Sequence, residues 1–361
     1  MLVETWERWR EAVEAEGLGF TAAEEYRTFP PPEPGSHGWR TAADAALALE
    51  PLMDDFRPDV VVSDILTLAP ALAAERAGVR RATLVPHVYP VHEPGMPFFA
   101  FGLQPPRTPV GRAVWRAALP VLEAGLRRGR EELNETRAAV GLAPVDRFHG
   151  GISEELALVA TFPQLEYPRR WPAGVRVTGP MVFEVPYPDI ALPDGDEPLV
   201  LVAPSTAQDP ELRLVQVALE ALAHEPVRVV ATTNRPGERD QVTAPANAVV
   251  VDWLSYSQVM PEASLVICHG GHGTVVRALS EGVPVLCCPH VGDMAENSAR
   301  VAWAGVGLML PWRLLSPRPI RMAAQRILDD ASFSARAREL AAWSNANYGP
   351  EAGARLVQGL L

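Results

Sequence analysis

Residues 265–274, Leu-Val-Ile-Cys-His-Gly-Gly-His-Gly-Thr, run from an apolar strand-like segment through a glycine-rich turn into a helix that begins near Thr274. Glycine lets the backbone come close to a ligand, and the free N–H groups and positive dipole end of a helix favour a phosphate. His269, Gly271, His272, Gly273 and Thr274 therefore form a candidate anion site, although a turn this short also serves as a plain strand-to-helix connection. A second apolar run follows at 283–288, and then a polar turn, residues 289–297, that carries His290, Asp293, Glu296 and Asn297. In open α/β sheets ligands sit in the crevice at the carboxyl ends of such strands. His269, His272, His290 and Asp293 also raise a metal reading. Two histidines three residues apart across a glycine-rich turn share no fixed helical face, so no metal site is expected.

These turns need a sheet to line them up. Apolar runs at 60–63, 199–203, 227–231, 248–251, 265–268 and 283–288 alternate with helical periodicity at 41–56, 68–77, 110–140, 211–224, 274–281, 295–304 and 318–329. Short buried strands alternating with helices predict an α/β fold with parallel sheets built from βαβ units. With 361 residues the chain is long for one core, which favours two lobes of similar size facing across a cleft. The 36 prolines cluster at 30–34, 86–109 and 163–198, and the last cluster lacks either period. The expected division is a first domain at 1–185, a linker at 186–197 with the boundary near Asp194, a second domain at 198–345 and a C-terminal helix at 346–361.

Composition narrows the class. Apolar residues make up 48% and charged residues 21%, the balance of an ordinary globular protein. A net charge of −12 argues against a nucleic-acid partner, whose binders cluster positive charge. No run reaches the roughly 18 apolar residues of a membrane helix and the first ten residues are charged, so a cytoplasmic location is expected. Cys268, Cys287 and Cys288 lie in strand-like runs and read as buried free thiols.

Residues 251–304 resemble the nucleotide-sugar signature of the UDP-glycosyltransferase family, which includes enzymes that decorate macrolides and other bacterial natural products. The likeness extends over most of the C-terminal half and weakly over the N-terminal half. It implies the GT-B fold, two Rossmann-like domains with the acceptor in the first lobe, the donor in the second and a C-terminal helix that crosses back. It also implies a metal-independent, inverting transfer of a hexose from a UDP- or TDP-sugar to a hydroxyl of a small lipophilic acceptor. No further cofactor is implied, and a homodimer is left open. By the same resemblance His269, Gly271, His272, Gly273, Thr274 and Thr206 look like donor-diphosphate contacts, Trp253 and Leu254 like the nucleobase segment, and Asp293 like the acid that binds sugar hydroxyls. Trp253 also reads as core packing. Three positions depart from the family: Met294 replaces a frequent Gln, Arg277 a frequent ribose-binding Glu, and Ser205 a frequent Gly.

Inverting transfer needs a base at the acceptor hydroxyl, and His suits this role with an acidic partner to orient it. Asp64, which ends the 60–63 run, resembles that acid; a helix N-cap is its other reading. The family's His has no counterpart. The first residues resemble the family's second strand and helix, so one βα unit of roughly 30 residues reads as missing, with the edge of a central strand left open. His37, His87 and His92 are substitutes in principle. The Pro-rich loop at 86–109, with His87, Phe98 and Phe99, reads as a wall of an acceptor pocket or as a cover for the core. The competing functions are a catalytically impaired nucleotide-sugar binder and a dinucleotide oxidoreductase. The oxidoreductase lacks its early glycine fingerprint here.

Overall fold

The computed structural model describes residues 1–23, 38–147, 149–185, 187–206, 209–290 and 292–361, and the side chains of all these except 38–41. The first lobe contains β1 (Leu2–Thr5), α1 (Arg10–Ala15), β2 (Gly19–Ala22), α2 (Gly38–Ala48), α3 (Glu50–Phe56), β3 (Val60–Asp64), α4 (Leu68–Arg76), β4 (Arg80–Val85), α5 (Pro109–Ala139), β5 (Leu156–Val159) and β6 (Val175–Val177). The second contains β7 (Leu199–Ala203), α6 (Arg213–Leu222), β8 (Arg228–Thr232), β9 (Ala248–Val251), α7 (Tyr256–Val259), β10 (Ala263–Cys268), α8 (His272–Ser280), β11 (Val285–Cys287), α9 (Asp293–Ala304), β12 (Gly307–Met309) and α10 (Pro317–Asp329). Two closing helices follow, α11 (Ala331–Ala346) and α12 (Gly349–Gln358).

The second lobe is built on one parallel six-stranded sheet of order β12-β11-β10-β7-β8-β9. All five residues of β7 are buried, as a strand covered by helices on both faces requires. Cys268 pairs with Ala203 on one side and with Cys287 on the other, so the turns after β7, β10 and β11 emerge side by side along one edge. The three cysteines are free and buried in this sheet region.

In the first lobe β3-β4-β5-β6 form a parallel sheet, and among the described residues β1 and β2 pair only with each other. The outer edge of β3 carries Val62, which is 46% exposed. The helix expected at 41–56 is split at Leu49 into α2 and α3. Pro51, in the first turn of α3, has no N–H to continue the helical ladder across that junction. The 163–198 stretch also holds β6, whose three residues are too few to display a period.

One buried cluster spans both lobes: Val88, Phe162 and Leu165 pack with Leu254, Val275 and Val301. A buried charge network reinforces it. Arg300 of α9 reaches Glu166 of the first lobe at 2.8 Å and Glu296 of its own helix at 3.0 Å, and lies 4.0 Å from the Tyr167 ring centroid. Glu166 also accepts the Tyr89 main-chain N–H at 2.6 Å. α12 closes the circuit on the first lobe, where Leu356, Val357 and Leu360 cover Ala82, Leu156 and Leu158.

Removing one member of a buried ion pair leaves the other charge without compensation. Arg300→Ala strands both Glu166 and Glu296 and is therefore expected to lower stability in urea unfolding by about 3–5 kcal/mol; a loss below about 1 kcal/mol would contradict the clamp.

Candidate active site

The chain passes from the end of β10 at Cys268 to the start of α8 at His272 in three residues, and two glycines make that turn possible. Gly270 takes φ 85°, in the left-handed region, and a Cβ there would run into Ser298 Oγ and the Met294 carbonyl. Gly271, the N-cap of α8, lies against the imidazole of His269, which a Cβ would strike. Gly273, in the first helical turn, has nothing within 4 Å of where a Cβ would stand. No side chain caps α8, and its first N–H groups lack intrahelical partners. Thr274 is half-buried beside them.

The two histidines of the turn do different work. His269 faces the end of β7, with Nδ1 3.5 Å from the Ala203 carbonyl oxygen. Burial holds its pKa below the usual value, opposed by that carbonyl and by the nearby carboxylates of Asp293 and Asp209. His272 points the other way, into the lobe interface: it is 8% exposed, and its Nε2 lies 3.2 Å from the first-lobe Ala160 carbonyl. Only an Nε2–H can make that bond, which leaves Nδ1 as a buried acceptor without a partner. Burial lowers its pKa to about 4. The contact that His272 can offer an anion at the turn is thus its main-chain N–H.

Thr206 is exposed just beyond β7, and Ser205 before it is buried. Asp293 is exposed as the first residue of α9, while Met294 beside it is 4% exposed and turned into the protein. The missing Gln thus corresponds to a position whose side chain is packed inside. Trp253 is half-buried after β9, but Leu254 lies in the core with 5% exposure, which leaves only its main chain for a ligand. Arg277, on α8, pairs at 3.1 Å with Glu184, and Glu184 also receives Ser255 Oγ and the Tyr256 N–H. Glu184 was not legible as a site residue, because it stands in the Pro-rich stretch without periodicity.

Across the cleft, β3 and β4 are paired with Asp64 opposite Leu84, so Asp64 and His87 leave the sheet from neighbouring strand ends. Asp64 Oδ1 accepts the Leu66 N–H at 2.7 Å, and no side chain caps α4. Asp64 caps the turn before the helix rather than the helix itself. Burial raises its pKa, while the Leu66 N–H and the charge of His87 oppose the shift. His87 also bears electrostatically on His272 of α8. The Nδ1 of His87 is 2.7 Å from the Val88 carbonyl, so Nδ1 donates that bond. Phe99 packs beside His87 at 6.0 Å between centroids. Phe98 packs instead in an aromatic group with His92, Phe101 and Trp115. His37 lies outside the described residues. Among the described residues no three His, Cys, Asp or Glu side chains are grouped to hold a metal ion, and no helix is long and apolar enough to cross a membrane.

Comparison with known proteins places this geometry. Residues 216–358 match the family model described as Erythromycin biosynthesis protein CIII-like, C-terminal domain. The chain is 33% identical over 313 residues to 4'-demethylrebeccamycin synthase of Lentzea aerocolonigenes, covering 83% of this chain and 73% of that one. Other curated relatives are spanned less fully, down to 44% of their length. Among solved structures, the calicheamicin glycosyltransferase superposes with a TM-score of 0.75 at 22% identity, over 100% of this chain and 90% of that one. A spinosyn rhamnosyltransferase complexed with thymidine diphosphate superposes with a TM-score of 0.68 at 20% identity, over 99% and 91%. The fold is GT-B. The chain belongs to the UDP-glycosyltransferase family, in its bacterial natural-product, macrolide-type branch, and its reaction is the transfer of a sugar to an acceptor. This displaces the oxidoreductase alternative.

His272 gives a pH signature. Its folded pKa lies below the unfolded value near 6.5, so the unfolded chain binds the extra proton between the two. The stabilisation is complete above about pH 6.5 and is lost as pH falls toward about 4, at up to ~1.4 kcal/mol for each pH unit. His269 adds a contribution of the same sign. Thermal midpoints measured from pH 7.5 to 4 are expected to fall less steeply in His272→Gln; parallel curves would show that the imidazole is not buried neutral.

Proposed function

We propose that the chain moves a hexose from a UDP- or TDP-sugar to a hydroxyl of a small lipophilic acceptor, with inversion and without a metal ion. The observation that carries this reading is the uncapped first turn of α8, bare at Gly273, with the imidazole of His269 packed against Gly271 at its N-cap. Charge builds on the diphosphate as its bond to the sugar breaks, and donors already fixed at that place lower the barrier. The helix dipole supplies the positive end for which a metal would otherwise be recruited. Thr206 and Asp293 flank the turn from neighbouring strand ends, suited to phosphate and sugar hydroxyls respectively. Thymidine diphosphate in the spinosyn rhamnosyltransferase supports a nucleoside diphosphate here.

On the acceptor side the proton goes to His87 Nε2. The hydroxyl oxygen attacks the anomeric carbon, the bond from that carbon to the diphosphate oxygen breaks, and the nucleoside diphosphate leaves with the electron pair. Asp64 stabilises the imidazolium that forms, as an acidic partner does for a histidine base. Phe99 gives this face an apolar wall.

The direct test is product analysis with UDP- and TDP-hexoses and hydroxylated aromatic or macrolide acceptors, with NMR of the new anomeric centre. An inverted glycoside formed in the presence of a chelator is expected; retention, or dependence on a divalent ion, would overturn the mechanism. His269→Ala is expected to lower kcat by about 10²-fold and weaken nucleoside diphosphate binding. His87→Ala and Asp64→Asn are expected to lower kcat by about 10²–10⁴-fold while sparing donor affinity. Full turnover in His87→Ala would remove it as the base.

A further inference from the structure

The Pro-rich segment between the lobes is fastened to the second lobe at two points. At the first, Glu184 accepts Ser255 Oγ at 3.0 Å, the Tyr256 N–H at 2.7 Å and the Ser257 N–H at 3.1 Å. Arg277 binds the same place, pairing with Glu184 at 3.1 Å and donating to the Phe183 carbonyl. At the second, the Ile190 N–H donates to Gln258 Oε1, and Gln258 Nε2 donates back to the Ile190 carbonyl, each at 3.0 Å. Both anchors engage α7 or the turn before it, the segment that follows Trp253.

Tyr187 lies between the anchors. It is 46% exposed, and its ring centroid is 6.5 Å from that of Trp253, with the planes at 45°. A flat ring inserted between two others needs them about 7 Å apart, twice a ~3.5 Å contact. The two rings stand tilted and slightly closer than that, so the slot opens by a small turn of the half-exposed Tyr187. Pro188 follows it and biases Tyr187 toward an extended backbone, which limits the conformations to be frozen on binding.

We propose that Tyr187 and Trp253 form an aromatic slot for the pyrimidine base of the donor, with the strap between the lobes as its second wall. This rests on the donor site assigned above and adds to it a residue from outside the lobe's βα units. It also accounts for Arg277, since at the position of a frequent ribose-binding Glu this chain carries a cation that fastens the strap.

The test is calorimetric titration of the whole chain with UDP, TDP and inorganic pyrophosphate, in the wild type and in Tyr187→Ala, Tyr187→Phe and Trp253→Ala. Loss of one stacking face is expected to weaken UDP and TDP about tenfold in Tyr187→Ala and in Trp253→Ala, with pyrophosphate unchanged. Tyr187→Phe keeps the face and should stay within about twofold of the wild type. Wild-type affinity for UDP in Tyr187→Ala, beside a loss in Trp253→Ala, would overturn the slot and leave the donor site standing. An equal loss for pyrophosphate would overturn it as a general disturbance. A wild type that binds neither nucleotide nor pyrophosphate would sink the donor site and the slot together.

Discussion

A phosphate meets main-chain N–H groups only where no side chain stands in the way, and that constraint shapes the turn between β10 and α8. Gly270 must adopt a left-handed backbone against Ser298 and Met294, Gly271 must pass beneath His269, and Gly273 must leave its first turn bare. Each position forbids a Cβ or profits from its absence. The sheet then does the alignment: Cys268, in register with Ala203 and Cys287, brings the turns holding Thr206, His269 and Asp293 to one edge. Strand register, rather than any single contact, gathers residues more than eighty positions apart.

The cleft depends equally on how the lobes are held. His272 lies one residue beyond the turn yet commits its imidazole to Ala160 of the opposite lobe, and Arg300, deeper along α9, is bound by Glu166. The helices that open beside the candidate donor turn are therefore the ones that grip the first lobe. An imidazole and an ion pair buried in this way are costly unless satisfied, so the contacts fix one relative placement of the lobes rather than a range of them.

Much of the second lobe was legible because its strands are unbroken apolar runs and its glycine turn has a physical reason at each position. The first lobe was less so. β4 opens on two arginines and β6 has three residues, so no run of apolar residues marks them off, and the apolar run of β5, Leu156–Val159, was read over. Periodicity across 41–56 concealed the break at Leu49, since amphipathic spacing persists through a change of helix axis. At the site, sequence placed His269 and Asp293 beside the turn, but the direction of a side chain is set by packing. Nothing local distinguishes His269, which faces the end of β7, from His272, in the interface, or shows that Leu254 and Met294 are turned inward. Glu184 and Tyr187 escaped notice because their partners, Arg277 and Trp253, are distant in sequence and the stretch between the lobes has no period.

The most direct test of the donor turn is a crystal structure with a bound nucleoside diphosphate. The expected result is a β-phosphate with oxygens about 2.7–3.2 Å from the main-chain nitrogens of Gly273 and Thr274 and within reach of His269. A nucleotide lodged elsewhere, or a turn that closes over its own N–H groups, would contradict it.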